Sequence, residues 1–152
     1  MPSKKVLPPT YLLFAIIMMA VLGFAFPILR VIPPVWNLLG LVPIALGIII
    51  NLLADRFIKG AQTTVKPFER SSVLAVGSVY SISRNPMYLG FVLMLAGIAV
   101  LLRAVSPWAV VIAFVILMQR VFIRVEEGML AEQFGWLWEG FCKHTPRWVK
   151  LI

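Results

Sequence analysis

Residues 83–90 read SRNPMYLG and run without interruption into FVLMLAGIAVLL at 91–102. An apolar run of that length is lipid-like in character, yet it begins with Arg84, Asn85 and Pro86. Polar groups at the edge of hydrocarbon need water, a partner or a function, because burying them unpaired is costly. Asparagine is a favoured helix N-cap and proline a favoured first helical residue, so Asn85-Pro86 predicts a helix start. On the cap reading, Asp or Ser at position 85 would serve as well as Asn. The free N–H groups of such a helix start favour an anion, and Arg84 adds a full positive charge beside them.

Outward from this stretch, the chain has 152 residues, 61% of them hydrophobic and only 13% charged. Soluble domains carry roughly 25% charged residues, so the composition points to a membrane protein. Val6–Leu29 and Val31–Ala54 contain no charge; Asn85–Leu102 and Ala104–Gln119 are two further runs. Crossing hydrocarbon takes about 20 helical residues. The first two runs suffice alone, the third just suffices, and the fourth continues past Arg120, whose long side chain can snorkel. The first run is too long for a signal-peptide core. The expected fold is therefore an all-α integral membrane domain over residues 1–152, with four transmembrane helices at 8–29, 33–54, 86–103 and 106–124. A cytosolic loop at 55–85 and a cytosolic C-terminal helical segment at 125–152 complete it.

Twelve of the fourteen Lys and Arg residues lie in the N-terminus, the central loop or the chain from Arg120 onward; only Arg30 and Arg103 lie in the short connections. The positive-inside rule then places both termini in the cytoplasm. The net charge of +8 becomes a topology signal and an affinity for anionic membrane lipids. No compact basic face interleaved with aromatics suggests nucleic acid. Cys142 is alone and cannot form an internal disulfide, and His144 is the one histidine, so no His/Cys zinc cluster is available and no metal is expected. Gly40 and Gly47, like Gly90 and Gly97, are two helical turns apart, which predicts close helix packing.

A second polar group follows the fourth run: QRVFIRVEEGMLAEQFG, residues 119–135. On an ideal helix Arg120, Arg124 and Glu127 share one face and can pair. Glu126 points elsewhere, toward the side of Gln119, Ile123 and Leu130. An acid there pairs with a base on another element, such as Arg84, or contacts a polar ligand.

SRNPMYLG, EEGMLAEQFG and the ending TPRWV together resemble the isoprenylcysteine carboxyl methyltransferase family and, more broadly, the phospholipid methyltransferase-like membrane enzymes. The resemblance covers about residues 63–149 and is closest to the bacterial Arg-Asn-Pro branch, which places the chain in a bacterial inner membrane. The matched positions are Arg84, Asn85, Pro86, Tyr88, Gly90, Glu126, Glu127, Leu130, Phe134 and Gly135. The family's Gly-Pro-Tyr appears as GSVY, so Gly77 is offset and Tyr80 aligns. Its two late tyrosines are replaced by Trp138 and Phe141, which keep the aromatic faces and lose the hydroxyls.

The resemblance implies S-adenosylmethionine as cofactor, S-adenosylhomocysteine as product and no metal. It implies a cofactor site of Tyr80, Arg84, Asn85, Pro86, Tyr88, Glu126, Glu127, Leu130 and Trp138, with Arg84 and Glu126 as the catalytic pair. The partners expected are a lipophilic small-molecule acceptor and membrane lipids, with a carboxylate acceptor such as a prenylcysteine-like compound set against a phospholipid amine. A sterol reductase-like NADPH enzyme remains an alternative, with Lys143 and Arg147 for a 2′-phosphate, as does a non-enzymatic membrane adaptor. The charge asymmetry makes the topology testable. Reporter fusions at residue 152 and near Arg103 should report opposite sides, with residue 152 cytoplasmic; a periplasmic C-terminus would contradict the assignment.

Overall fold

The computed structural model describes residues 6–60 and 74–149. Among them the chain is helical, with no strand and a single isolated antiparallel bridge between Arg30 and Ala104. Helix α1 spans Pro8–Phe24. A 3₁₀ turn, Trp36–Gly40, leads into α2, Leu41–Gly60. A short 3₁₀ turn, Ser78–Ser81, precedes α3, Pro86–Leu102. Helix α4, Ser106–Leu117, passes through a π-helical segment, Met118–Ile123, into α5, Arg124–Phe134. Helix α6 is Trp136–His144.

Proline sets three of the starts. It stands in the first turn of α1, α3 and α4, where its missing N–H costs nothing and its fixed φ is already helical. Proline also accounts for one corrected boundary. The first run was expected to stay helical to Leu29, but α1 stops at Phe24, and Pro27 disfavours helical geometry in the residue before it. Two other ends move the opposite way. Helix α2 continues to Gly60 instead of ending at Ala54, its last turn carrying an i,i+4 ion pair of 2.6 Å between Asp55 and Lys59. The fourth helix runs unbroken to Phe134, ten residues past its expected end at 124, so the first part of the expected C-terminal segment is a continuation of that helix.

Among the described residues two helices are long and apolar enough to cross a membrane, Trp36–Gly60 and Ser106–Phe134; α1 and α3 are shorter apolar helices. The core sits between α1, α3 and the fourth helix, where Met19, Leu95, Ala99, Met118, Phe122 and Ile123 are fully or almost fully buried. Helix α2 packs outside this core, against α3, and leaves Leu41, Val42, Leu46, Ile49 and Leu52 exposed. So much apolar surface suits lipid and not water.

The α2–α3 contact is made by the two glycine pairs. A Cβ on Gly40 would overlap the carbonyl oxygen of Gly97, and one on Gly47 would overlap that of Gly90. The two backbones therefore touch, which only glycine allows, as the sequence spacing predicts. Asn37 donates to the Leu101 carbonyl at 3.2 Å and ties the same pair at one end.

At that end the two short connections are stitched together. Val31 N–H donates to the Arg103 carbonyl at 3.1 Å, Val105 N–H to that of Ile28 at 3.0 Å, and Arg103 Nε to that of Ile32 at 2.8 Å. The polar residues of interest collect at the opposite end, where α2 finishes and α3 begins.

The glycine contacts generate a paired prediction. Gly97→Val should destabilise the bundle by about 1–3 kcal/mol or more, because the α3 backbone cannot recede from Gly40. Gly128, exposed in α5 with nothing within 4 Å of an added Cβ, should accept alanine with a gain of about 0.5–1 kcal/mol. Thermal melting of the detergent-solubilised variants checks both signs; equal effects would contradict the contact.

Candidate functional site

The residues before α3 are held by a returning strap of chain. After α6, residues 145–148 fold back across the start of α3. Arg84 N–H donates to the Pro146 carbonyl at 3.0 Å, and Ser83 Oγ donates to the Arg147 carbonyl at 3.2 Å. Ser83 is completely buried, and its Oγ also accepts the Asn85 N–H at 3.1 Å. Trp148 completes the strap by donating from its indole Nε1 to Gln119 Oε1 at 2.9 Å.

Asn85 occupies the N-cap position of α3, but its side chain makes no cap hydrogen bond. The cap expectation is therefore corrected. Its Nδ2 donates instead to Glu127 Oε1 at 3.3 Å and to the Arg147 carbonyl at 3.0 Å. The buried amide joins α5 and the strap, and those acceptors draw the side chain away from its own helix start.

Glu127 is the hub. Arg147 donates from Nε and Nη2 to Glu127 Oε2 at 3.0 and 2.7 Å, and Arg84 Nε lies 3.6 Å from Oε1. The hydrogen bond to Glu127 raises the pKa of Arg147 further, keeping it charged. The expected pairing of Glu127 with Arg120 and Arg124 is overturned: both arginines are exposed, whereas Glu127 is buried. The π-helical segment explains the difference. It holds more residues per turn than an α-helix, so the residues after it are rotated relative to an ideal 3.6-residue count. Arg84, expected to pair with Glu126, consequently pairs with Glu127.

Glu126 does face inward, as its position beside Ile123 predicts. Tyr88, in the first turn of α3, donates its hydroxyl to Glu126 Oε1 at 2.7 Å. The Tyr88 ring is packed against Phe91 and Phe122, with centroids 6.4 and 6.2 Å away, so the phenol is fixed in place. Tyr80 stands at the same site, stacked at 5.7 Å on Phe57 of α2. Its phenol pKa is pushed well up, first by burial and then by the nearby charges of Glu126 and Asp55, so Tyr80 is a neutral donor at any physiological pH.

Arg84 lies between Glu127 and α6. Its Nη1 contacts the Cys142 sulfur, and its guanidinium sits 5.5 Å from the centroid of the buried Trp138 ring, a cation–π distance. Its Nε is buried without a hydrogen-bond partner, since 3.6 Å to Glu127 is an ion-pair distance and too long for a hydrogen bond. Trp138 stacks edge-on with Phe141 at 5.8 Å. Pro86 is fully buried at the helix start, and Leu130 is half-buried on α5.

Gly135 adopts φ +53° and ψ −118°, a region closed to residues with a Cβ, and so makes the break between α5 and α6. Beyond Phe134 and Phe141 opens an apolar groove of about 690 Å³, lined also by Val76, Gly77, Leu137 and His144.

Of the residues expected at the site, the structure joins Arg84, Asn85 and Glu127 in one network, which Trp138 touches through Arg84, and Tyr88 with Glu126 beside it. Ser83, Cys142 and the structural role of Arg147 were not foreseen. The TPRWV ending, one of the stretches that carried the resemblance, was the available signal for Arg147. Among the described residues no group of three His, Cys, Asp or Glu could hold a metal ion.

The phospholipid methyltransferase family model matches residues 35–136. That is more than half of the chain, and the chain belongs to this family, in agreement with the wider grouping expected from its motifs. No curated protein and no solved structure matches it significantly.

The geometry separates the two glutamates by function. Glu127→Ala leaves Arg84 and Arg147 without their acid and should cost about 3–5 kcal/mol, as for a broken buried ion pair. Arg124→Ala should leave the melting temperature nearly unchanged. Asn85→Asp, tolerable for a cap, should now destabilise, because it sets a second carboxylate against Glu127; Asn85→Ser loses the amide donor as well. Melting curves of the four variants check this, and an Asn85→Asp protein as stable as the parent would contradict it.

Proposed function

We propose that this member of the phospholipid methyltransferase family transfers a methyl group from S-adenosylmethionine to a lipophilic acceptor at the cytosolic face of a membrane. Four spans, α1 to α5, carry the site. The charge asymmetry supports that topology: among the described residues, the end of the bundle that holds the site also holds Arg56, Lys59, Arg120, Arg124 and Lys143. The observation that carries the reading is that the Tyr88–Glu126 hydrogen bond and the Arg84–Glu127 ion pair stand side by side at one end of the bundle, although α4 and the π-helical segment separate the partners in sequence.

The residues fit the cofactor chemically. Arg84 has a buried Nε with no hydrogen-bond acceptor, and a carboxylate would supply one. Glu126, held by Tyr88, suits an ammonium or ribose hydroxyls. Trp138 acts on the cofactor through Arg84, whose guanidinium it supports from beneath. Asn85, Pro86 and Glu127 set the position of Arg84, while Tyr80 and Leu130 close the site towards α2 and α5. When bound, the cofactor supplies a methyl group already activated by its sulfonium, so the protein's tasks are placement and electrostatics. The groove beside Phe134 and Phe141 is apolar enough to receive a hydrocarbon acceptor.

Two acceptors were expected, a carboxylate and an amine. Among the described residues, the site's cations Arg84 and Arg147 face Glu127, whereas Glu126 faces the phenols of Tyr88 and Tyr80. A carboxylate acceptor would therefore meet Glu126 without a disengaged cation, and an amine would meet a carboxylate able to attract it and take its proton. This favours transfer to an amine over transfer to a prenylcysteine-like carboxylate. The reductase alternative loses ground, because Arg147 turns its Nε and Nη2 to Glu127 and leaves Lys143 as the uncommitted cation for a 2′-phosphate.

Titration calorimetry of the purified protein with S-adenosylmethionine and with NADPH tests the reading. Binding of the first and not the second is expected. Arg84→Ala and Glu126→Ala should each weaken it by roughly ten- to hundredfold, the worth of one charge-assisted hydrogen bond. Unchanged affinity in both variants would remove these residues from the site.

A further inference from the structure

The exposed face of the fourth helix changes character within one turn. Ile112 and Ile116 are exposed on it, at 61% and 49%. The next positions of the same stripe, four residues apart, are Arg120 and Arg124, both exposed and flanked by the exposed Val121 and Val125. Among the described residues neither arginine has a hydrogen-bond or ion-pair partner, since Glu127 is turned to Arg84 and Arg147. Helix α2 shows the same switch at the same end of the bundle: Leu52 and Leu53 are exposed, and Arg56 and Lys59 follow. There, however, Lys59 is neutralised by Asp55 at 2.6 Å. Two helices thus agree on a level where an apolar surround gives way to one that tolerates cations, and one of them presents an unneutralised arginine pair at that level.

We propose that Arg120 and Arg124 clasp the phosphodiester of an anionic membrane phospholipid whose acyl chains lie along Ile112 and Ile116. Residues one helical turn apart hold their Cβ atoms about 5–6 Å from each other, so two guanidinium groups can converge on one phosphate. Each is planar and matches phosphate oxygens in pairs, which a lysine ammonium does not. The apolar stripe above the pair selects a lipid over a soluble phosphate or a nucleic acid, which would leave Ile112 and Ile116 uncovered. The clasp rests on the reading of the fourth helix as a membrane span and not on methyl transfer.

The test uses the full chain in neutral detergent. Phosphatidylglycerol, phosphatidylcholine or inorganic phosphate is titrated in, and bound lipid is counted by native mass spectrometry. The parent should bind phosphatidylglycerol well above phosphatidylcholine and should not respond to phosphate. An Arg120→Gln/Arg124→Gln protein should bind phosphatidylglycerol about thirtyfold more weakly, from the usual worth of two basic residues at an anionic surface. The charge-matched Arg56→Gln/Lys59→Gln protein should lose far less.

Equal loss in both double variants would reduce the effect to general charge and overturn the clasp, as would an arginine variant that binds like the parent. Flotation with phosphatidylcholine vesicles separates the two levels of failure. A protein that stays out of the vesicles refutes the span and the clasp together. One that inserts but shows no preference for the anionic lipid refutes the clasp alone.

Discussion

Glu127 is a carboxylate buried at the junction of three pieces of chain: α5, the start of α3 and the C-terminal strap. Its two oxygens receive Arg147 from the C-terminal strap and Asn85 and Arg84 from the start of α3. Unpaired, such a buried charge would be costly; with two arginines and an amide around it, its desolvation is offset. Arg84 then has a fixed position from which to meet Trp138 and Cys142, and the strap has a fixed path over the helix start. The adjacent Glu126 is left facing Tyr88. Two consecutive acids on one helix thereby take different duties, one binding the fold together and one presented to the interior of the site.

The same end of the bundle depends on how closely α2 approaches α3. With backbones in contact at Gly40–Gly97 and Gly47–Gly90, the end of α2 brings Phe57 against Tyr80, and Tyr80 in turn stands near Glu126. Side chains in the glycine positions would push α2 away and open this wall of the site. The packing of apolar helices and the chemistry at their end are thus linked through geometry, while the lipid-like exposure of α2 leaves the membrane to cover its outer face.

Much of this was legible in the residues. The apolar runs located all the long helices, because hydrocarbon length and proline punctuation act locally. The glycine spacing foretold the close contact, and the inward face of Glu126 followed from its place beside Ile123. The motif resemblance gathered Arg84, Asn85, Tyr88 and the two glutamates before any geometry was known. What failed was phase and return. A period of 3.6 residues cannot anticipate the π-helical segment at 118–123, so Glu127 was placed with the wrong arginines. Asn85 read as a cap because local propensity knows only its own helix, whereas Glu127 and Arg147 come from 42 and 62 residues away. The strap escaped notice because nothing local in TPRWV says which distant carbonyls and acids it will meet.

The central claim is that Glu127 and Arg147 act as one coupled unit at the hub of this end of the bundle. A double-mutant cycle joining Glu127→Gln and Arg147→Gln, read as unfolding free energy in detergent, tests it most directly. A coupling energy of about 1–3 kcal/mol is expected, with the double variant little worse than Glu127→Gln alone. Strict additivity of the two substitutions would contradict it.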